Sequence, residues 1–334
     1  MNPVVRIATL RDLDALCHLA SLSGGALLNL PTNRTALENR LAWSIKSLDA
    51  EITAPENELY MLVMEKPDSG EIIGVASIFS RIGVPWPFCS YKVVTQTHVS
   101  RELDRSYTTR LLHLVNDFDG ASEVGGLFLH PEHRSGGLGS LLARSRYLFI
   151  ANHRKRFSDR IIADLRGWHD KNGSPFWNAI GHHFFGRDFA EADHYNALHG
   201  NQFIADLMPR YPIYVDLLPQ DARDAVGREH EEASPARRIL EKEGFIFENY
   251  IDIFDGGPTL SARTNDLHTI RNSLQAELSN IPASPEASKA LLASGSLLSF
   301  RAWHDHATIE DGKIRLSEKT PSGILSGATI RYIF

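Results

Sequence analysis

The chain is poor in cysteine: among its 334 residues only Cys17 and Cys89 occur, and they form no C-x-x-C pair. Two isolated cysteines give no disulfide framework, and such sparse use is typical of a reducing cytosol. Excess positive charge is also missing, since 35 lysines and arginines face 41 aspartates and glutamates, which argues against a generic nucleic-acid surface. No apolar run approaches the length of a membrane span, and the N-terminus lacks the apolar segment of a signal peptide. These absences predict a soluble cytoplasmic protein with no nucleic-acid or membrane partner.

The composition that remains, 43% hydrophobic and 23% charged residues, is ordinary for a globular protein of one large domain or two smaller ones. Apolar runs of strand length alternate with helical periodicity, and residues 166–230 interrupt this alternation. The pattern resumes with a helix that Ser234 should cap and Gly244 should end. Strands are predicted at Val4–Ala8, Leu59–Glu65, Ile72–Ser80, Tyr91–Val99, Val124–His130, Asp159–Leu165 and Phe245–Phe254.

The character of the chain changes after about residue 264. Apolar residues at helical spacing predict a helix over Leu267–Leu278, and residues 281–285 have the composition of a linker. We therefore expect a first domain over 1–260, with 166–230 as an insertion, and a small β-rich subdomain over 261–334. The strands predicted in this subdomain are Leu297–Trp303, Lys313–Leu316 and Ala328–Phe334.

The most informative stretch is residues 127–139, where an apolar run ends near Pro131 and a glycine-rich turn opens a helix. Such a turn forms an anion cradle, because glycines let a phosphate approach the backbone and the free amides of the first helical turn donate to it. No Gly-Lys-Ser/Thr follows, which excludes a P-loop, and Leu142 stands where a dinucleotide fingerprint needs its third glycine. Taken alone, the turn could also be only the start of a helix.

The motif Arg134-x-x-Gly137-x-Gly139 resembles the coenzyme A pyrophosphate loop of the GNAT-type N-acetyltransferases. Several further blocks make the chain similar to a narrower family, the arginine (arginine/ornithine) N-succinyltransferases of the acyl-CoA N-acyltransferase superfamily. The resemblance runs from Arg6 to about Pro258, with looser similarity in the tail. The blocks that carry it are Leu127–Leu129, Leu142–Ile150, Ser174–Trp177, Phe203–Pro209, Leu240–Phe245 and Tyr250–Pro258.

This resemblance implies a GNAT-like α/β fold: a mixed twisted sheet flanked by helices, with the insertion and the C-terminal subdomain added. It implies transfer of succinyl from succinyl-CoA to the α-amino group of L-arginine, the first step of arginine degradation, by direct attack of the amine. Succinyl-CoA would be a co-substrate and no cofactor would be tightly bound. The chain would form a homo-oligomer or pair with a related subunit. The sequence departs from the family pattern at Gly125 and Gly126, and at Glu231 where a proline is usual.

The resemblance also implies which residues bind the coenzyme. Backbone amides of the strand, those of Leu127 and Leu129 among them, would polarise the thioester carbonyl as an oxyanion hole. Leu127 would then act through its main chain, so its side chain should matter little. The remaining coenzyme-binding residues would be those of the glycine loop, Arg134, Ser135, Gly136, Gly137, Leu138, Gly139 and Ser140.

His230 is the first candidate for acid–base catalysis, because it stands at the position resembling the family's proton donor and imidazole titrates near neutrality. By its position alone it could be an exposed loop histidine. Glu123 is a second candidate, as general base or as a group holding the substrate amine, and a strand-end surface acid is the alternative. Asp164, Asp252 and Asp255 could bind a guanidinium or cap turns, and a cap is favoured for Asp255.

Two further interpretations remain open at this point. A metal site would need His182, His183, His194 and His199, but no zinc-ligand spacing accompanies them, so no metal is expected. Phe176 and Trp177 could line an arginine pocket, although an aromatic pair is more often part of a core. The rival functions are acylation of ornithine or another small amine with a different acyl-CoA, and a non-catalytic coenzyme A-binding subunit.

Overall fold

The described part of the chain contains α-helices of 5 to 16 residues and many strands. A computed structural model describes residues 2–23, 29–171, 173–189, 191–192, 206–317 and 320–334. No helix in these ranges has both the length and the apolar character needed to cross a membrane. The α-helices that lie wholly within these ranges are α1 (Leu13–Leu22), α2 (Arg34–Asp49), α3 (Leu138–Asn152), α4 (Pro175–Ala179), α5 (Gly181–Phe185), α6 (Gln220–Ala225), α7 (Ser234–Glu243) and α8 (His268–Asn272).

The strands of the same ranges confirm most of the predicted runs to within one or two residues. They are β1 (Val4–Ile7), β2 (Leu59–Glu65), β3 (Ile72–Phe79), β4 (Ser90–Ser100), β5 (Arg105–Val115), β6 (Ser122–Leu129), β7 (Arg160–Asp164), β8 (Ile213–Tyr214), β9 (Ile246–Asp252), β10 (Pro258–Arg263), β11 (Leu274–Leu278), β12 (Ser288–Ser294), β13 (Arg301–Glu310), β14 (Lys313–Leu316) and β15 (Thr329–Ile333).

Residues 1–80, 122–159 and 263–334 form one compact unit. Within it, β1, β2, β3 and β6 are neighbours in that order and pair antiparallel. Helix α3 packs on β3 and β6 through a buried face that includes Leu142, Leu148 and Phe149. This packing holds the start of α3 at the end of β6, which is where the glycine loop lies.

The C-terminal strands of this unit close into a ring. Their order is β12, β15, β11, β14 and β13, and β12 also pairs with β13, so each strand has neighbours on both sides and the ring has no open edge. The ring surrounds its own apolar cluster, which includes Trp303 and Tyr332. The predicted helix over Leu267–Leu278 is wrong in its second half: α8 ends at Asn272 and Leu274 pairs with Tyr332 on β15. Cross-strand pairing therefore outweighed the local helical spacing.

Residues 81–121 and 160–262 form a second compact unit. Its strands follow the order β7, β10, β9, β4, β5 and β8, and the hairpin of β4 and β5 pairs over eleven residues on each strand. Helix α7 ends at Glu243 and Gly244 caps it with a left-handed φ of 105°, as predicted for a glycine. The predicted capping by Ser234 is wrong: Ser234 is the first helical residue, and Ala233 occupies the N-cap position with no side-chain bond to the helix. The expected division into 1–260 and 261–334 stays a prediction.

Candidate active site

The glycine loop reverses the chain between β6 and α3 by means of two successive left-handed residues. Gly136 has a φ of 64° and Gly137 a φ of 82°, and α3 begins at the next residue. A side chain at either position would impose strain, because Cβ crowds the backbone in this region of φ. The loop thus has the backbone that the sequence predicted, a sharp turn that ends at a helix N-terminus.

The space over this loop is open to a ligand. A Cβ built on Gly136 or Gly139 would meet no atom within 4 Å. Gly137 stands at the N-cap position and has no side chain with which to occupy the first amides of α3. These amides and the helix dipole favour an anion, so the loop presents a binding surface for a phosphate group.

Arg134 connects the loop to the strand that precedes it. Its Nε donates to the Leu129 carbonyl at 3.2 Å, and its guanidinium lies 5.5 Å from the centre of the Phe128 ring. Arg134 is itself exposed, as are Ser135, Gly136 and Gly137. The arginine therefore holds the loop against the end of β6 at the surface, and its contact with a coenzyme phosphate stays a prediction.

Strand β6 carries a bulge just before the loop. Val75 of β3 pairs with Phe128 and Ser77 pairs with Gly125, so two residues of β6, Gly126 and Leu127, lie opposite one residue of β3. Gly126 has a φ of 57°, which the bulge requires. Because a bulge takes backbone groups out of the ladder, this geometry suits the predicted use of the Leu127 amide toward a ligand.

Glu123 is buried on β6 and not a surface acid: 7% of the residue is exposed, and its Oε1 accepts a hydrogen bond of 2.6 Å from the Asn29 amide group. The glycine at 125, a departure from the family pattern, makes this contact possible. A Cβ there would stand 2.4 Å from Nδ2 of Asn29. Sequence reasoning missed Asn29, since nothing in the local pattern couples it to a residue 94 positions away.

His230 lies in the other compact unit, on a loop that is fastened at several points. Its backbone amide donates to the Arg166 carbonyl at 2.8 Å, and the amide of Trp168 donates to the Arg228 carbonyl at 3.0 Å. Glu229 pairs with Arg237 of α7 at 2.7 Å. The chain on either side of His230 is therefore held in a fixed position within its unit.

The His230 ring is half-buried and its tautomer is set by a backbone bond. Nδ1 accepts from the Glu232 amide at 3.2 Å, so the neutral ring carries its proton on Nε2. Burial and the Arg166 charge lower the pKa of His230 below its ordinary value of 6.5. The neutral ring is thus favoured at pH 7, and its Nε2–H can donate a hydrogen bond, whereas proton donation requires the ring to be protonated first.

The two aspartates at the β9–β10 turn cap that turn. Asp255 accepts from the amides of Gly167 at 2.6 Å and Gly257 at 2.8 Å, and Asp252 accepts from those of Phe254 and Asp255. Burial and the neighbouring Asp255 charge raise the pKa of Asp252 to about 7. Their oxygens therefore serve backbone amides, which is the turn-cap alternative.

This pair predicts a pH dependence of stability that Asp252→Asn removes. Because the folded pKa of Asp252 is raised, the folded state holds more protons between pH 3.8 and about 7, so its contribution to the free energy of unfolding falls as pH rises through that window. An asparagine keeps the amide contacts and has no proton to lose. When the pH rises from 5 to 8, the free energy of unfolding of the wild type should therefore fall relative to that of the variant, by about 1 to 2 kcal/mol. Urea unfolding at both pH values measures this, and an unchanged difference would contradict it.

The remaining candidate site residues that the structure describes lie in the core or on the surface. Phe176 and Trp177 are fully buried, and the Trp177 ring stacks on Phe254 with centroids 5.6 Å apart, so the core interpretation of this aromatic pair holds.

Of the four histidines considered for a metal site, His182 and His183 are exposed on α5. No group of three histidines, cysteines or acids among the described residues could hold a metal ion. His194 and His199 lie outside those residues, as do residues 203–205 of one family block.

Comparison with known proteins identifies the family. The profile described as AstA, arginine N-succinyltransferase beta subunit, matches residues 3–269. The chain belongs to this family. Arginine N-succinyltransferases from Escherichia fergusonii and from Escherichia coli strain K12/DH10B are each 40% identical to it over 300 residues, covering 89% of this chain and 87% of each relative.

The fold agrees with that assignment. The chain is similar to the solved structure of arginine/ornithine succinyltransferase subunit AI from Pseudomonas aeruginosa, with a TM-score of 0.87 and 33% identity over 99% of this chain and 98% of the other. The predicted α/β fold of the acyl-CoA N-acyltransferase type is thereby confirmed, as is the resemblance on which it rested.

Proposed function

We propose that this chain transfers the succinyl group of succinyl-CoA to the α-amino group of L-arginine, giving N2-succinyl-L-arginine and coenzyme A, in the cytoplasm. One observation carries the proposal: 40% identity over most of the chain to arginine N-succinyltransferases. The bulge in β6 and the open glycine loop support it, because a bulge takes backbone groups out of the ladder and the loop that follows can hold a phosphate.

The reaction requires a neutral amine, a polarised thioester and a proton for the leaving group. The amine nitrogen attacks the succinyl carbonyl carbon, the C–N bond forms, the C–S bond breaks, and the proton lost by the amine balances the one gained by the thiolate. The Leu127 amide stabilises the oxyanion that develops on the carbonyl. Amides of the Gly137–Ser140 turn hold the diphosphate, so much of the acceleration comes from positioning.

His230 is the acid–base group: the neutral ring first takes up a proton to become imidazolium and then gives a proton to the thiolate. Uptake of that proton requires Nδ1 to give up the bond that it accepts from the Glu232 amide. Glu123 holds the substrate amine or accepts its proton. Asn29 sets the orientation of that carboxylate, since it donates to Oε1. Each role is assigned from the chemistry of the side chain and from its contacts within its own compact unit.

The oxyanion role predicts that backbone changes at the bulge outweigh side-chain changes. We expect Leu127→Ala to lower kcat less than about threefold, because the amide is retained, and Gly126→Val to lower it more than about tenfold. Gly126 has a positive φ, and a Cβ there would lie 3.1 Å from the Asn29 carbonyl oxygen and from Ser77 Oγ, so a valine displaces the bulge. Steady-state kinetics with thermal unfolding as a folding check measures this. The reverse order of the two effects would contradict a main-chain role.

The function is tested by following release of the coenzyme A thiol from succinyl-CoA with L-arginine, with L-ornithine and with no amine, and with acetyl-CoA in parallel. Release that needs both L-arginine and succinyl-CoA is the expected result. Release with another amine or acyl donor would keep the reaction class and change the substrate. Binding of coenzyme A without turnover would indicate a non-catalytic subunit.

Ornithine is the second candidate substrate, because the similar Pseudomonas aeruginosa chain is named an arginine/ornithine succinyltransferase subunit. That name, and the beta-subunit description of the family, also support the proposal that this chain works as an oligomer, with its own copies or with a related subunit. Sedimentation of the purified chain, alone and with a co-expressed relative, distinguishes these assemblies.

A further inference from the structure

A lysine from the C-terminal ring stands beside the glycine loop. Lys289 lies on β12, 152 residues after Gly137, yet its Nζ is 3.9 Å from the position that a Cβ on Gly137 would occupy. Both residues belong to the same compact unit. The lysine thus reaches the left-handed residue that opens α3, from an element that the family's glycine motif does not include.

The loop and the ring share a cavity at this place. It has a volume of about 180 Å³ and is lined on one side by Gly136, Leu138 and Leu141, and on the other by residues of β12 and β13 that include Lys289 and His304. A cavity of that size can admit a phosphate group. The ring therefore contributes directly to the surroundings of the helix N-terminus.

The cavity contains a lysine ammonium that can attract an anion. Lys289 is exposed and makes no hydrogen bond or salt bridge with any residue in the described ranges. Burial, followed by the charges of Lys289 and Arg144, lowers the pKa of His304 to about 4, so this ring is neutral at pH 7. The acid that lines the cavity, Asp305, is buried and accepts from the His306 amide at 2.6 Å. The ammonium group is thus available to a ligand.

We propose that Lys289 binds the diphosphate of the acyl-coenzyme A, so that the C-terminal ring completes the coenzyme site. This inference rests on the proposed function, because the ligand is the coenzyme of that reaction. The helix amides would donate to the diphosphate from one side and the lysine from the other. The Lys289 ammonium would attract the phosphate groups as a point charge, beside the backbone donors of α3. It would not distinguish one acyl group from another.

The test is calorimetric titration of the full chain with coenzyme A and with 3′-dephospho-coenzyme A, which retains the diphosphate. We expect Lys289→Ala to weaken binding of both ligands about fivefold and Lys289→Glu about 30-fold, and Lys289→Arg to stay within about threefold of wild type. The matched control is Lys46→Glu, an exposed lysine of α2 in the same unit that does not line the cavity. Thermal unfolding confirms that each variant is folded.

The outcomes separate the two proposals. Wild-type affinity in Lys289→Glu, or an equal loss in Lys46→Glu, would overturn the role of Lys289 and leave the proposed function standing. A loss confined to coenzyme A and absent with the dephospho form would overturn the assignment to the diphosphate. If wild type itself binds neither ligand, the proposed function fails and this inference fails with it.

Discussion

Replacing His230 by alanine should lower kcat by about 100-fold or more and leave coenzyme A binding intact. His230 is proposed to exchange a proton during the reaction, and loss of a positioned acid–base group typically costs 100-fold to about 10,000-fold in rate. The coenzyme should still bind, because the glycine loop and its free helix amides belong to the other compact unit. Single-turnover and steady-state kinetics measure the first effect, and calorimetric titration with coenzyme A measures the second.

A matched control is available for this histidine. His183→Ala changes an exposed histidine of the same unit, and we expect it to retain wild-type turnover. His230 also accepts a bond from the Glu232 amide, so thermal unfolding of His230→Ala must show that the loop is preserved. Turnover equal to wild type in a folded His230→Ala would remove the residue from the mechanism.

The second large effect should come from a carboxylate placed in the phosphate cradle. In Gly139→Asp the new side chain enters space where a Cβ would have no neighbour within 4 Å, at the N-terminus of a helix with no acid in its first turn. An acid there stabilises a helix by about 0.5 kcal/mol, so the fold should be as stable as wild type. Against a phosphate about 5 Å away, however, like charges repel by about 3 kcal/mol, which weakens coenzyme A binding about 100-fold.

Gly139→Ala provides the control, because it makes the same backbone change without the charge. We expect it to bind coenzyme A within about threefold of wild type, since its Cβ also lies in open space. Titration of both variants with coenzyme A, beside thermal unfolding, makes the comparison. An equal loss in the two variants would mean that side-chain volume and not charge governs the loop, and no loss in Gly139→Asp would place the phosphates elsewhere.

The elements that the sequence predicted correctly are those decided by local chemistry. The glycine loop needs left-handed backbone at Gly136 and Gly137, and Gly244 ends a helix for the same reason. The β2–β3 hairpin follows from two apolar runs separated by a turn sequence, and its strands form where expected. In each case the signal lies within a few residues, so a single stretch of chain contains all the information that it requires.

Other features depend on contacts between distant residues, and only the tertiary structure decided them. The apolar spacing of Leu267–Leu278 favoured a helix, but pairing of Leu274 with Tyr332 made its second half a strand. Asn29 reaches Glu123 because Gly125 leaves room, and Lys289 reaches Gly137 because β12 joins a closed ring.

The sequence by itself determined the chemistry that the chain offers: a phosphate cradle, a candidate proton donor and the family to which both belong. Tertiary structure decided which carboxylates are occupied by turns, which acid is buried against an amide, and which lysine faces the cradle. The physical reason is range: backbone conformation follows local sterics, whereas burial and hydrogen-bond partners depend on segments separated by many tens of residues.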